Sequence, residues 1–362
     1  MNDIPFTDLK AKFSNLKKEI LDEIEKVIES GNYILGDQVK KFENEFAKKF
    51  GYRHVVGVAN GTEALYLALV ASQRKGTVLT VANAANYVST AAKMAGLKVS
   101  YVDVNEFSHQ PTLDLIKKAY SSDIEILVIT HLFGCVNDEL DSISAFCATK
   151  NIFLIEDCAQ AHGAPVGIFG ALFTFSFYPT KNLSALGDAG AIGTNDSDLA
   201  DLLKSLRNYG WSEKYRIANL GGINSRLDEV QAAVLNIQLK YFDKDLSNRR
   251  ENALLYLKLL EKENRIILPR FFKNNDAFHL FPIRYEKRDL LIEKLKRYGI
   301  DTLIHFPIPD HLQLSNNFYW NLPITEKLSK SLVSLPLYSE LTKKQILSIV
   351  QNLVKALDDC SK

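Results

Sequence analysis

Cysteine is scarce, with four residues at Cys135, Cys147, Cys158 and Cys360. No two are spaced as C-x-x-C, so the sequence offers neither a zinc knuckle nor a thioredoxin-like motif, and no metal is expected. Scattered thiols fit a reducing cytosol better than a disulfide scaffold. Neither sign of charge dominates, since 44 Lys and Arg against 43 Asp and Glu leave a net charge of +1. No basic stripe is available to track a phosphate backbone, which argues against a nucleic-acid partner. Long apolar runs are also missing. None approaches the roughly 18 residues that span a bilayer, so no membrane partner is expected. The opening residues Met1-Asn2-Asp3-Ile4-Pro5-Phe6 carry neither a basic nor an apolar leader region. The chain reads as cytoplasmic and soluble.

What is present is length and order. A chain of 362 residues is too long for one small core and fits a large domain plus a smaller one. A hydrophobic fraction of 46% and a charged fraction of 24% are ordinary for a globular protein. Leu9, Phe13, Leu16, Ile20, Ile24, Val27 and Ile28 recur in steps of three and four, which predicts one amphipathic helix over 9–30, stopped by Gly31. A second helix is expected over 37–50, closed by Gly51.

Beyond it the pattern alternates. Short β-branched runs at 54–58, 77–81, 98–102, 125–129 and 153–155 are separated by helical stretches at 62–73, 87–96, 113–120 and 138–150. Such alternation implies crossover connections and a mostly parallel sheet with helices on both faces, a three-layer α/β/α arrangement. Two more runs, 172–176 and 189–193, bring the sheet to about seven strands. The large domain is placed at 1–240 and a smaller C-terminal α+β domain at 241–362. The latter reads as strand 278–285 and helices at 287–298, 324–333 and 342–358. In open sheets of this kind ligands sit at the carboxyl ends of the strands, so the segments after each apolar run matter most.

Four such segments carry chemistry. Asn60-Gly61-Thr62-Glu63 follows the first strand and offers free N–H groups and a positive dipole end to a phosphate; a plain N-cap by Thr62 is the competing reading. Glu156-Asp157-Cys158-Ala159-Gln160-Ala161-His162-Gly163 follows the fifth run. A strand-terminal carboxylate pair needs a partner, either a protonated ring nitrogen or a nearby Arg. Ser176-Phe177-Tyr178-Pro179-Thr180-Lys181 sets a lysine in an apolar stretch. A desolvated lysine has a depressed pKa and can form a Schiff base, but a lysine that snorkels out or binds phosphate fits the same residues. Gly222-Ile223-Asn224-Ser225-Arg226-Leu227-Asp228 precedes a long helix, which Ser225 or Asn224 is expected to cap.

Taken together and in this order, these segments resemble the sugar aminotransferase family named for the DegT, DnrJ, EryC and StrS proteins. The resemblance covers nearly the whole chain, from Ile4-Pro5-Phe6 through Gly31-Asn32-Tyr33-Ile34-Leu35-Gly36 to Leu335-Pro336-Leu337-Tyr338. It implies the fold type I of enzymes dependent on pyridoxal 5'-phosphate (PLP). It also implies that Lys181 holds the cofactor as a Schiff base and that Asp157 pairs with its pyridine nitrogen. Gln160 would lie near the ring oxygen, Tyr87 would stack on the ring, and Gly61, Thr62 and Ser176 would bind the phosphate. Asn224 would arrive from a neighbouring subunit, because these enzymes build shared sites in a homodimer.

The run Tyr178-Pro179-Thr180-Lys181-Asn182-Leu183 followed by Leu186-Gly187-Asp188-Ala189-Gly190 looks like the branch that aminates C3 of dTDP-linked 3-keto-6-deoxy sugars. L-Glutamate would be the donor. A C4-specific aminotransferase is the alternative, and Tyr178 and His305 are candidate substrate contacts. Two positions depart from the pattern. Asn83-Ala84-Ala85-Asn86 lacks a threonine often found before the stacking aromatic, and Ser184 replaces a frequent glycine. The related sugar dehydratases carry histidine in place of the lysine, and regulators on this fold need a DNA-binding module. Lys181 and the absence of a spare basic segment argue against both.

Overall fold

The structure, a computed structural model, describes residues 3–269, 272–313 and 320–361. The amphipathic stretch at 9–30 forms two helices, α1 (Leu9–Ser14) and α2 (Lys17–Ser30), rather than one. Its apolar spacing survives the break because Phe13, Leu16, Ile20 and Ile24 all pack with Val234 and Ile237. A side-chain period reports the buried face and not the continuity of the backbone ladder. Helix α3 (Asp37–Phe50) follows. Helices α2 and α3 end on glycines in the left-handed region, Gly31 at φ 63° and Gly51 at φ 77°.

Seven strands make one sheet: β1 (His54–Val58), β2 (Thr77–Val81), β3 (Val99–Val102), β4 (Ile124–Thr130), β5 (Phe153–Asp157), β6 (Leu172–Ser176) and β7 (Gly190–Thr194). Their spatial order is β1-β7-β6-β5-β4-β2-β3. Strands β2 to β6 pair in parallel, while β7 runs antiparallel to both neighbours. The expected mostly parallel seven-stranded sheet is present, with strand ends shifted by a residue or two.

Helices α4 (Gly61–Ala71), α5 (Tyr87–Met94), α6 (Leu113–Ala119), α7 (Leu140–Lys150) and α8 (Ser197–Leu206) connect or flank the strands. One face of the sheet buries Val56, Val78, Val128 and Ile155 with Leu67, Val88 and Leu203. The other carries Phe173, Phe175 and Phe177 against Phe42 and Phe46 of α3. Edge-on aromatic pairs lock that layer, Phe46–Phe175 at 5.0 Å and Phe42–Phe177 at 5.2 Å between ring centroids.

A short hairpin, β8 (Trp211–Glu213) with β9 (Arg216–Ile217), precedes the 31-residue helix α9 (Glu229–Leu259). Residue 240 lies inside this continuous helix. The C-terminal part contains β10 (Phe281–Arg284), α10 (Arg288–Arg297), α11 (Asp310–Gln313), α12 (Pro323–Ser331), β11 (Leu332–Leu335) and α13 (Lys343–Ser361). Strand β11 was not expected. Its Leu332-Val333-Ser334-Leu335 run is buried throughout and pairs antiparallel with β10, so packing on both faces overrides the helical spacing that leads into it. Ile4 joins the core of this part beside Ile300, Ile283 and Leu353.

Candidate active site

Three chain segments meet at the carboxyl ends of the central strands. Strand β5 ends at Asp157, strand β6 at Ser176, and α4 starts at Gly61. They enclose a cavity of about 280 Å³. Gly61, Thr62, Tyr87, Asp157, Gln160, Ser176, Tyr178, Lys181 and His305 all line it. Asn224 does not; within a single chain it is exposed and forms an antiparallel bridge with Asn208.

The helix starts differ from expectation in two places. Asn60, not Thr62, caps α4, its Oδ1 accepting the Glu63 N–H at 2.9 Å. The first-turn N–H groups of Gly61 and Thr62 have no partner in the helix ladder, and both residues line the cavity. Helix α9 starts at Glu229 with Asp228 at the N-cap position and no side-chain cap bond. Ser225 Oγ instead accepts from the Ala59 N–H at 3.2 Å. The Glu229 carboxylate is turned outward and takes the Gln38 and Val39 N–H groups at the start of α3, each at 2.9 Å.

Gly61 is fixed by close approach. A Cβ added there would stand 2.6 Å from Ser176 Cβ and 3.1 Å from Ser176 Oγ. The start of α4 therefore lies against the Ser176 hydroxyl, and together they make a cradle of backbone N–H groups, a helix dipole and a hydroxyl. Across the cavity, Asp157 accepts from Thr130 Oγ1 at 3.2 Å and from the Ala159 N–H at 3.1 Å. Gln160 is held by its Oε1, which accepts the Phe133 N–H at 2.7 Å. His305 Nδ1 lies 3.1 Å from Ser334 Oγ, with its ring 5.6 Å from Phe6. Tyr87 and Tyr178 are both about half exposed.

The ionisable groups share one desolvated space. Burial brings the Lys181 amine down to about 8, with Asp157 pulling weakly the other way. Burial raises the Asp157 carboxyl, opposed by the Ala159 N–H, the Lys181 charge and Thr130. His305 is lowered to about 4 by burial and by the Lys181 charge. Buried His279 is lowered well below its ordinary value by burial first, then by Lys181 and Arg249. A partly neutral amine beside a carboxylate that lacks a cation of its own marks a site prepared for a ligand.

Several lining residues were missed from sequence. His279 and Phe306 come from the C-terminal part of the chain, and Asn60, Thr180 and Asp188 flank residues that were expected. His279 is delivered by pairing across about 145 residues, its N–H donating to the Phe133 carbonyl at 2.8 Å. No local pattern announces such a contact. Phe133 itself sits at φ 62°, and its neighbour Gly134 at φ 89°. The Gly134 turn, where an added Cβ would be 2.8 Å from the His279 nitrogen, is the nearest thing to a sequence signal.

These residues fit pyridoxal phosphate. The Gly61–Ser176 cradle suits the phosphate, the under-partnered Asp157 suits a protonated ring nitrogen, and the desolvated Lys181 amine suits the aldehyde. The cavity lies near the lower end of small-molecule pockets, roughly 300–1,000 Å³.

Comparison with known proteins points the same way. The dTDP-3-amino-3,6-dideoxy-alpha-D-galactopyranose transaminase of Aneurinibacillus thermoaerophilus is 39% identical, covering 96% of this chain and 98% of that one. The dTDP-3-amino-3,4,6-trideoxy-alpha-D-glucose transaminase of Streptomyces venezuelae is 36% identical, covering 96% and 94%. The crystal structure of S. venezuelae DesV in complex with a ketimine intermediate superposes with a TM-score of 0.93 at 35% identity, over 98% of each chain. Residues 14–354 match one family throughout, and the chain belongs to the DegT/DnrJ/EryC1/StrS aminotransferase family.

Proposed function

We propose that this chain is a PLP-dependent transaminase that moves the amino group of L-glutamate to C3 of a dTDP-linked 3-keto-6-deoxyhexose. The observation that carries the reading is the pairing of Lys181 and Asp157 in one buried cavity whose far wall is the Gly61–Ser176 cradle. Relatives at 36% and 39% identity are named for sugars aminated at C3, which supports C3 over C4. The site would be completed by Asn224 from a second copy in a homodimer. Four buried cysteines that form no disulfide suit a reducing compartment, in keeping with a cytoplasmic enzyme.

Bound pyridoxal phosphate supplies an electron sink for negative charge left on the amine-bearing carbon. The protein supplies the rest. Gly61, Thr62 and Ser176 would hold the phosphate, and Asp157 would keep the ring nitrogen protonated. The Lys181 amine, lowered to about 8, is partly unprotonated near neutral pH. Its Nζ can therefore take a proton at the amine-bearing carbon of the donor and return one at C3 of the sugar. Because donor and acceptor react in turn at one site, the kinetics should be ping-pong.

The test is incubation with glutamate and either the 3-keto or the 4-keto dTDP-6-deoxyhexose, with the amino sugar read by mass and NMR. Product from the 3-keto sugar is expected. Product from the 4-keto sugar alone overturns the regiochemistry. Lys181→Ala should abolish turnover, and retained turnover would sink the assignment of the base.

A further inference from the structure

One half-buried cation near the cavity has no part in the chemistry above. Lys12, on α1, sends its ammonium inward to the turn that carries Lys181. Nζ donates to the carbonyl oxygens of Lys181 at 2.7 Å and Asn182 at 3.3 Å, and to Ser184 Oγ at 2.7 Å. Among the described residues no backbone N–H reaches either carbonyl, and no carboxylate lies within ion-pair distance of Lys12. Nζ also lies 5.9 Å from the Phe13 ring centroid, and a desolvated cation held by neutral groups is costly to bury. The bonds it makes are charge-assisted and therefore strong and directional.

Other bonds hold the flanks of the turn, among them the Ser184 N–H donating to Gln238 Oε1 at 3.2 Å and the Leu186 N–H to Gln231 Oε1 at 2.9 Å. The Lys181 N–H donates to the Tyr178 carbonyl and the Ala185 N–H to the Phe177 carbonyl, which close its base. Asn182 is held from the far side by Ala277 and His279. Among the described residues, the Lys181 carbonyl takes its hydrogen bond from Lys12 alone. From sequence, Ser184 is merely a substitute for a frequent glycine; in the structure its hydroxyl completes the Lys12 cradle.

We propose that Lys12 is a positioning residue that ties helix α1 to the 181–184 turn and so fixes the direction in which the Lys181 side chain enters the cavity. The proposal rests on the reading of Lys181 as the cofactor lysine. The surroundings make the tether sensitive to charge. Burial and then Arg249 bring the Lys12 amine down to about 7, while Glu340 and Asp245 pull it upward. Buried His162, whose ring packs on Phe175 and Phe177, also feels the Lys181 and Lys12 charges.

The test uses the full-length protein with and without pyridoxal phosphate, comparing wild type with Lys12→Met, Lys12→Arg and Ser184→Gly. Amide hydrogen exchange at residues 181–186 of the cofactor-free protein should rise by about tenfold or more in Lys12→Met, with β5 and β6 unchanged. In the loaded protein the pH midpoint of the visible absorption band should move by at least about half a pH unit. Lys12→Arg should recover part of both effects, and Ser184→Gly should show a smaller change of the same sign. Unchanged exchange and midpoint in Lys12→Met overturn the proposal, as does a uniform rise in exchange over the whole sheet. Should Lys12→Met fail to fold, an unaltered Ser184→Gly overturns it equally. A wild-type protein with no visible band would refute the cofactor reading, while exchange at 181–186 still decides the tether.

Discussion

Two consecutive carboxylates end strand β5, and alternation sends them to opposite faces of the sheet. Glu156 turns to the closed face. Its oxygens accept the N–H groups of Gly167, Ile168, Phe169 and Gly170 at 2.7–3.1 Å, and His131 Nε2 lies 3.0 Å away. Burial pushes this carboxyl up, yet the His131 bond and charge and the loop N–H groups outweigh it and hold it at about 2. Asp157 lines the cavity, accepts among the described residues only from Thr130 and Ala159, and stays raised. The two lysines that meet at the 181 turn repeat the contrast, since Lys12, reaching in from α1, is spent on three oxygens while Lys181 lines the cavity. Saturated groups hold the fold, and under-satisfied ones are reserved for a ligand.

The largest expected effect breaks the saturated side. Glu156→Ala leaves four loop N–H groups and His131 without their acceptor. It should destabilise the cofactor-free protein by about 3–5 kcal/mol in urea denaturation. A loss below about 1 kcal/mol would show that water replaces the carboxylate and that the closed face is not closed.

Asp157→Asn is the matching change on the reserved side, and it should separate stability from activity. The amide keeps the shape and removes a charge that burial already disfavours. Urea stability of the cofactor-free protein should therefore stay within about 1 kcal/mol of wild type, while kcat falls roughly 10²–10³-fold. Full turnover, or unfolding comparable to Glu156→Ala, would erase the distinction between the two faces.

How far this was legible in the sequence follows from range. Strand runs at 54–58, 77–81 and 172–176 coincide with β1, β2 and β6, because short runs of β-branched or aromatic residues bounded by turn formers are a local signal. Lys181 and Asp157 were singled out from segments that follow strand runs, their expected roles came from the family resemblance, and the structure brings both to one cavity. The roles of Glu156 and Lys12 were not legible. They depend on loop 167–170 folding back and on α1 meeting a turn some 169 residues away, which no local spacing encodes. Helix α9 was misread at its start for the same reason: Glu229 caps another helix.

A smaller effect is expected at the cradle. Gly61→Ala places a methyl 2.6 Å from Ser176 Cβ and should cost about 1–3 kcal/mol by overpacking. The double variant Gly61→Ala/Ser176→Gly sharpens the point, because it removes the clash and the hydroxyl together. Thermal stability should recover while pyridoxal phosphate affinity, measured by equilibrium dialysis, stays weakened. Recovery of both would mean that the hydroxyl does not bind the phosphate.

The smallest effect is the pH dependence of stability in the cofactor-free protein, and it separates the two faces by sign. Glu156 is lowered in the folded state, so its stabilisation is complete above about 4.5 and fades as pH falls toward about 2. Asp157 is raised, so the folded state binds the extra proton and stability declines as pH climbs past 3.8. Lys181 is lowered from 10.5 to about 8, so the unfolded chain binds more protons across that window and stability rises with pH through it. Urea midpoints measured from acid to alkaline pH should show Asp157→Asn losing the decline above 3.8 while keeping the acid loss that belongs to Glu156. Lys181→Met should lose part of the rise between about 8 and 10.5, the remainder coming from Lys12, lowered to about 7. A Lys181→Met profile that keeps the whole rise would mean that the lysine is as well solvated in the folded protein as in the unfolded chain. The cavity would then not be the desolvated space that makes its amine a base.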